Sequence, residues 1–135
     1  MIPTPRPLPQ PTPTTLPFWQ AAARGELLFQ RCADCGHRHS IPRLFCTACL
    51  SERLEWLRAS GLGWIYTYTI NARASHPALK DRLPMAVAVI TLDEGTRLMG
   101  EVVNPAGIAI GARVRVVFES VAEDMALPRF ELLPV

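Results

Sequence analysis

Two CxxC pairs near the N-terminus, five short β-type runs behind them and no long helical pattern predict a mainly β chain. The predicted order is a short N-terminal helix and a rubredoxin-like zinc ribbon, followed by a five-stranded OB-fold barrel. At 135 residues, 49% of them hydrophobic, the chain suffices for one domain or for two small modules. Its predicted units are an extended arm over 1–17, helix and ribbon over 18–60, and the barrel over 61–135.

Residues 1–17 hold seven of the 13 prolines, mostly at alternate positions. Such a segment forms neither helix nor interior strand and is extended, either as a free leader or as an arm lying on a partner. Residues 18–25, Phe-Trp-Gln-Ala-Ala-Ala-Arg-Gly, follow Pro17, which suits a first helical turn; Gly25 suits its end. A helix this short needs Phe18 and Trp19 packed on something, their own chain or another subunit. Leu27 to Cys32 reads as a strand into the first knuckle, Arg38 to Phe45 as its return, and Leu54 to Arg58 as the strand leaving the ribbon. The barrel strands are Trp64–Ile70, Met85–Leu92, Arg97–Val103, Arg113–Glu119 and Arg129–Leu133, with Asp93-Glu94-Gly95-Thr96 as a hairpin turn. Five short antiparallel strands fit an OB-type Greek-key barrel, with an open sandwich as the alternative. Gly100, inside the third barrel strand, suits a corner or bulge.

The chain's only cysteines are Cys32, Cys35, Cys46 and Cys49. Each pair grips one ion from a tight turn, and together they supply four soft ligands for tetrahedral Zn2+. Four thiolates leave no open position for water or substrate, so the metal is structural. Iron suits the same four sulfurs. No thioredoxin-like pattern surrounds either pair, and no secretory leader is visible. These observations favour metal over redox chemistry or disulfides and predict a cytoplasmic protein. Gly36 follows the first knuckle, where positive φ is useful; Leu50 holds the matching place in the second.

Net charge is +2, divided as +1, +2 and −1 over the three units, and Lys80 is the only lysine. That bias is too weak for a typical nucleic-acid binder. No apolar run has the length of a membrane span. The sequence lacks GxSxG, HExxH, GxGxxG and P-loop patterns, and no catalytic set emerges. His37 and His39 lie in the ribbon loop, where the four cysteines already complete a metal site. Trp64, Tyr66 and Tyr68 alternate along one strand. They serve as a base-stacking face, a barrel interior or a subunit interface.

Phe18-Trp19, the run Leu28-Phe29-Gln30-Arg31-Cys32-Ala33-Asp34-Cys35-Gly36, the pair Cys46/Cys49, the barrel opening Gly63-Trp64-Ile65-Tyr66-Thr67-Tyr68-Thr69 and the ending Leu127-Pro128-Arg129-Phe130 occur in this order. The chain resembles, over roughly residues 16–133, the zinc-ribbon plus OB-fold family of acyl-CoA-associated proteins known as domain of unknown function thirty-five. The proline-rich arm and Leu50 depart from that pattern. The resemblance implies a non-catalytic accessory subunit of a thiolase-like enzyme, with the catalytic residues on the partner. Its settings include thiolases, acetyltransferases, hydroxymethylglutaryl-CoA assembly and steroid side-chain CoA aldolases. On this reading Phe18, Trp19 and the ribbon dock a thiolase-fold subunit in a hetero-oligomer. Arg73, His76, Lys80 and Arg82, in the basic loop 71–83, meet the phosphates of an acyl-CoA substrate. The alternatives are a stand-alone acyl-CoA-binding module and, ranked lower, a single-stranded nucleic-acid-binding OB protein.

Overall fold

A Thr12–Thr15 turn leads into the first regular element, helix α1 (Leu16–Ala23). The computed structural model describes residues 7–74 and 76–134; the first six residues of the predicted arm lie outside them. Thr12 and Thr15 accept each other's amide protons on their hydroxyl oxygens, at 2.9 and 3.2 Å. Gly25 (φ 80°) closes the helix in the left-handed region. Its N–H and that of Glu26 donate to Ala22 and Ala21. The helix buries Phe18, Ala21 and Ala22, and it packs on the last barrel strand.

The ribbon is a three-stranded antiparallel sheet. Strand β1 (Leu28–Cys32) runs between β2 (Arg38–His39) and β3 (Leu54–Arg58). The predicted return over 38–45 pairs for only two residues. Past Ser40 the chain is held instead by Gln30, which is 4% exposed. The Gln30 amide donates to the Arg43 carbonyl (3.1 Å) and accepts from the Arg43 N–H (2.8 Å).

Strands β4 (Leu62–Asn71), β5 (Met85–Leu92), β6 (Arg97–Val103), β7 (Arg113–Ala122) and β8 (Met125–Leu132) close into a barrel in the order β4-β5-β6-β8-β7. Only β6 and β8 run parallel, with Val102 opposite Phe130. Strict alternation on β5 sends Ala86, Ala88, Ile90 and Leu92 inward. They meet Ile65, Val102, Val114 and Phe130, none more than 1% exposed. Gly100 lies in unbroken register with Ala88 and makes no bulge. A Cβ there would come within 3.1 Å of the Phe130 ring, so the glycine makes room for that ring. The irregularities fall in β4, between Ile65 and Thr67, and in β7, between Ser120 and Ala122. Tyr66 and Tyr68 are 43% and 37% exposed, on the surface and not in the interior.

Phe18, Leu27, Phe29 and Ala59 join the barrel interior in one apolar cluster, so helix, ribbon and barrel share a core. The β5–β6 hairpin ties them further. Arg38 donates to the Glu94 carbonyl (2.6 Å), and the Glu94 carboxylate accepts the Ser60 N–H (2.9 Å). Asp93 takes both arms of Arg113, at 2.7 and 3.0 Å, and that guanidinium holds its carboxyl below the usual range. Among the described residues no helix is long and apolar enough to cross a membrane.

Candidate metal centre and the surfaces around it

The turns after β1 and before β3 bring the four cysteine sulfurs within 4.8 Å of one another, and no other such group of metal-binding side chains occurs among the described residues. Cys32 Sγ lies 3.6 Å from Cys49 Sγ, and Cys35 Sγ 3.5 Å from Cys46 Sγ. Disulfide sulfurs stand about 2.05 Å apart. A tetrahedron with zinc–sulfur bonds of about 2.3 Å has edges of about 3.8 Å. The set therefore fits a four-thiolate metal centre. The Cys35 N–H donates to Cys32 Sγ (3.5 Å) and the Ala48 N–H to Cys46 Sγ (3.4 Å). The Cys35 amide is the main reason that the Cys32 thiol is lowered to about 6, against an opposing effect of burial. At Cys49 the Ser51 amide favours the thiolate, but burial and the neighbouring sulfurs outweigh it and push the thiol up to about 12. A divalent ion relieves this crowding of negative charge, and with four thiolates bound it keeps no site for a substrate.

The knuckles match in geometry. Gly36 donates its N–H to the Cys32 carbonyl (2.9 Å) and Leu50 its N–H to the Cys46 carbonyl (2.8 Å). Both residues have positive φ, 79° and 64°. Leucine in that region costs about 1 kcal/mol, and Leu50 is 77% exposed, so no packing offsets the strain. Replacing Leu50 with glycine is expected to stabilise the zinc-loaded protein by roughly 0.5–1 kcal/mol, read as a higher midpoint of denaturant unfolding with zinc stoichiometry unchanged. Asp34, in the first knuckle, accepts from Ser51 and from Arg53 (2.8 Å) and so braces the second.

The predicted docking residues separate. Phe18 is 7% exposed and belongs to the chain's own core. Trp19 meets it edge to face at 4.9 Å, is only partly buried, and lines an apolar groove of about 300 Å³ with Ile41, Pro42, Leu98 and Met99. The ribbon tip carries Ile41, Leu44, Phe45 and Leu50, exposed by 59, 67, 48 and 77%. The sequence points to the ribbon as a docking piece but not to Ile41, Leu44 and Phe45, because apolar residues between metal ligands read equally well as core.

The predicted phosphate-binding residues also separate. Pro77–Arg82 forms a 3-10 helix, and His76 caps it by accepting the Ala78 N–H on Nδ1 (3.1 Å). Arg82 turns inward to Glu101 and Glu119 and is committed to the barrel. Arg73 and Lys80 are exposed, with no ion-pair partner among the described residues. Pro7, Leu8 and Pro9 border a groove of about 500 Å³ with Leu79, Met85 and Met99, so this part of the arm lies against its own barrel.

The ChsH2 rubredoxin-like zinc ribbon domain matches residues 19–55, and the ChsH2 C-terminal OB-fold domain matches residues 56–119. A probable enoyl-CoA hydratase alpha subunit of Thermomonospora curvata is 34% identical over 116 residues, 84% of this chain; the match spans only 36% of that subunit's length. A DUF35 domain-containing scaffold protein of Methanocaldococcus jannaschii is 35% identical over 104 residues, covering 73% of this chain and 71% of the relative. Among solved structures, a chain of an Ltp2-ChsH2(DUF35) aldolase superposes with a TM-score of 0.82 at 31% identity. It covers 93% of this chain and 98% of its own.

Proposed function

The chain belongs to the DUF35 family, in which a ChsH2-type zinc ribbon precedes an OB-fold domain, and from that membership we propose that it is a non-catalytic accessory subunit of a partner enzyme. The partner is a thiolase-fold enzyme that makes or breaks a carbon–carbon bond in an acyl-CoA thioester, by thiolysis, acyl transfer or retro-aldol cleavage. The small subunit stabilises it and borders its substrate site. The likeness to a chain of the Ltp2-ChsH2(DUF35) aldolase supports this reading.

The observation that carries it is the apolar ribbon tip. Four large apolar side chains stand in water on a metal-clamped loop, and one of them, Leu50, holds strained backbone that glycine would relieve. Strain and exposure together are costly for a monomer and suit a surface covered by another chain. Trp19 and Ile41 continue the strip into the groove beside α1.

Co-expression with a thiolase-like protein, followed by size exclusion with light scattering, tests the proposal. A stable hetero-oligomer is expected. Leu44→Asp should weaken it at least tenfold, about 1.4 kcal/mol. The same change should leave the unfolding midpoint of the free subunit unmoved, because Leu44 packs on little of its own chain. A monodisperse monomer that ignores its partner at micromolar concentration sinks the proposal.

A further inference from the structure

A cleft of about 370 Å³ opens between ribbon and barrel, remote in sequence from the predicted phosphate-binding loop. Arg38, Arg43 and Arg97 line it, and among the described residues no carboxylate does. Three cations without a lining acid attract an anion. Arg38 and Arg97 are held through their side chains and Arg43 through its backbone. Arg38 donates to the Glu94 carbonyl, and the Gln30 amide clamps the Arg43 backbone from both sides. Arg97 lies 3.7 Å over the Tyr66 ring and reaches Thr91 Oγ1 through Nε (3.4 Å). The terminal nitrogens of Arg97 and the whole Arg43 guanidinium have no partner among the described residues.

The cleft also holds unanswered polar atoms. Among the described residues five buried side-chain atoms have no hydrogen-bond partner, and three of them belong to residues lining this cleft: His39 Nδ1, Ser40 Oγ and Thr96 Oγ1. Their residues are 7, 8 and 6% exposed. His39 Nε2 accepts the Thr47 N–H at 3.3 Å, which puts the ring proton on Nδ1. All three atoms can therefore donate, and native proteins rarely leave such donors unanswered. Glu94 does not line the cleft; its Oε2 accepts from the Ser60 amide, and its buried Oε1 is another of the five unpartnered atoms.

We propose that this cleft is a binding site for the phosphate or diphosphate group of an organic ligand, gripped by Arg38, Arg43 and Arg97. Guanidinium forks match phosphate oxygens, and the neutral donors complete the oxygens' hydrogen bonding. Exposed Tyr66, next to Arg97, adds an aromatic face that suits a nucleobase. The combination fits the nucleotide end of a CoA thioester. That assignment rests on the proposed function, whereas the anion site does not.

Calorimetry on the zinc-loaded full chain, with no partner present, separates the two. The probes are inorganic phosphate, inorganic pyrophosphate and adenosine 3′,5′-bisphosphate. The bisphosphate should bind at least tenfold more tightly than inorganic phosphate, with affinity falling as salt rises. Arg43→Gln and Arg97→Gln should each weaken it at least tenfold, with zinc content and unfolding midpoint retained. Arg58→Gln, whose arginine pairs with Glu26 away from the cleft, should change nothing. No binding at millimolar probe, or binding indifferent to Arg43 and Arg97, overturns the site. Equal affinity for pyrophosphate and the bisphosphate keeps the anion site and overturns its assignment to a nucleotide.

Discussion

Replacing Cys46 with serine is expected to abolish zinc binding and unfold the ribbon while the barrel stays closed. Cys46 is fully buried, and its sulfur stands 3.5 Å from that of Cys35. A hydroxyl there offers a poor ligand and leaves three crowded sulfurs. In small zinc-finger peptides the metal supplies roughly 10–16 kcal/mol of folding free energy. The ribbon has little to replace it: a two-residue β2 and two five-residue strands. The barrel has its own closed ladder and interior, so it should survive. It loses its contacts with Leu27 and Phe29, which share its core cluster. Elemental analysis should find almost no zinc in the variant. Hydrogen exchange should show β1 and β3 amides unprotected and β5 amides still slow. Assembly with the partner should fail with the ribbon. Stoichiometric metal in the purified variant would count against the four-cysteine centre.

The metal centre and most of the barrel were legible because their signals are local. Two CxxC pairs fix four ligands, and the period of two from Met85 to Leu92 fixes which side chains of β5 face inward. The sequence pattern starts the last strand at Arg129, whereas β8 begins at Met125 and runs through Pro128. Pro128 is tolerated because it pairs only with Phe118 on β7, while the parallel pairing to β6 begins at Phe130, leaving the other side of the strand open there. The cleft arginines were not legible at all. Arg38 and Arg43 come from the ribbon and Arg97 from β6, and it is the shared core and the Arg38–Glu94 bond between ribbon and hairpin that bring them together. The pairing of Arg82 is illegible for the same reason, since its partners Glu101 and Glu119 are 19 and 37 residues away.

Those partners make Glu101→Gln the second large effect. Glu101 accepts from Arg82 and from Arg129 (3.1 Å), and Glu119 takes the same two arginines at 3.1 and 3.0 Å. Two cations and two anions thus balance between β6, β7, β8 and the 3-10 helix. The side chains of Glu101 and Arg129 are only 11 and 13% exposed. Burial works against the Arg82 charge, but the two glutamates outweigh it and hold its pKa above the usual arginine value. Removing the Glu101 charge leaves two arginines on one carboxylate in a poorly hydrated place. Breaking a buried pair from one side costs 3–5 kcal/mol. Glu119 remains to share the load, so about 3 kcal/mol is expected, read from denaturant unfolding. Arg82→Gln should cost less, because Arg129 still faces both carboxylates. It should release the 3-10 helix, seen as faster exchange at the amides of that helix, Ala78, Leu79 and Leu83 among them. If Glu101→Gln instead costs under about 1 kcal/mol, the size of an exposed surface pair, the network is solvated and does not hold the loop to the barrel.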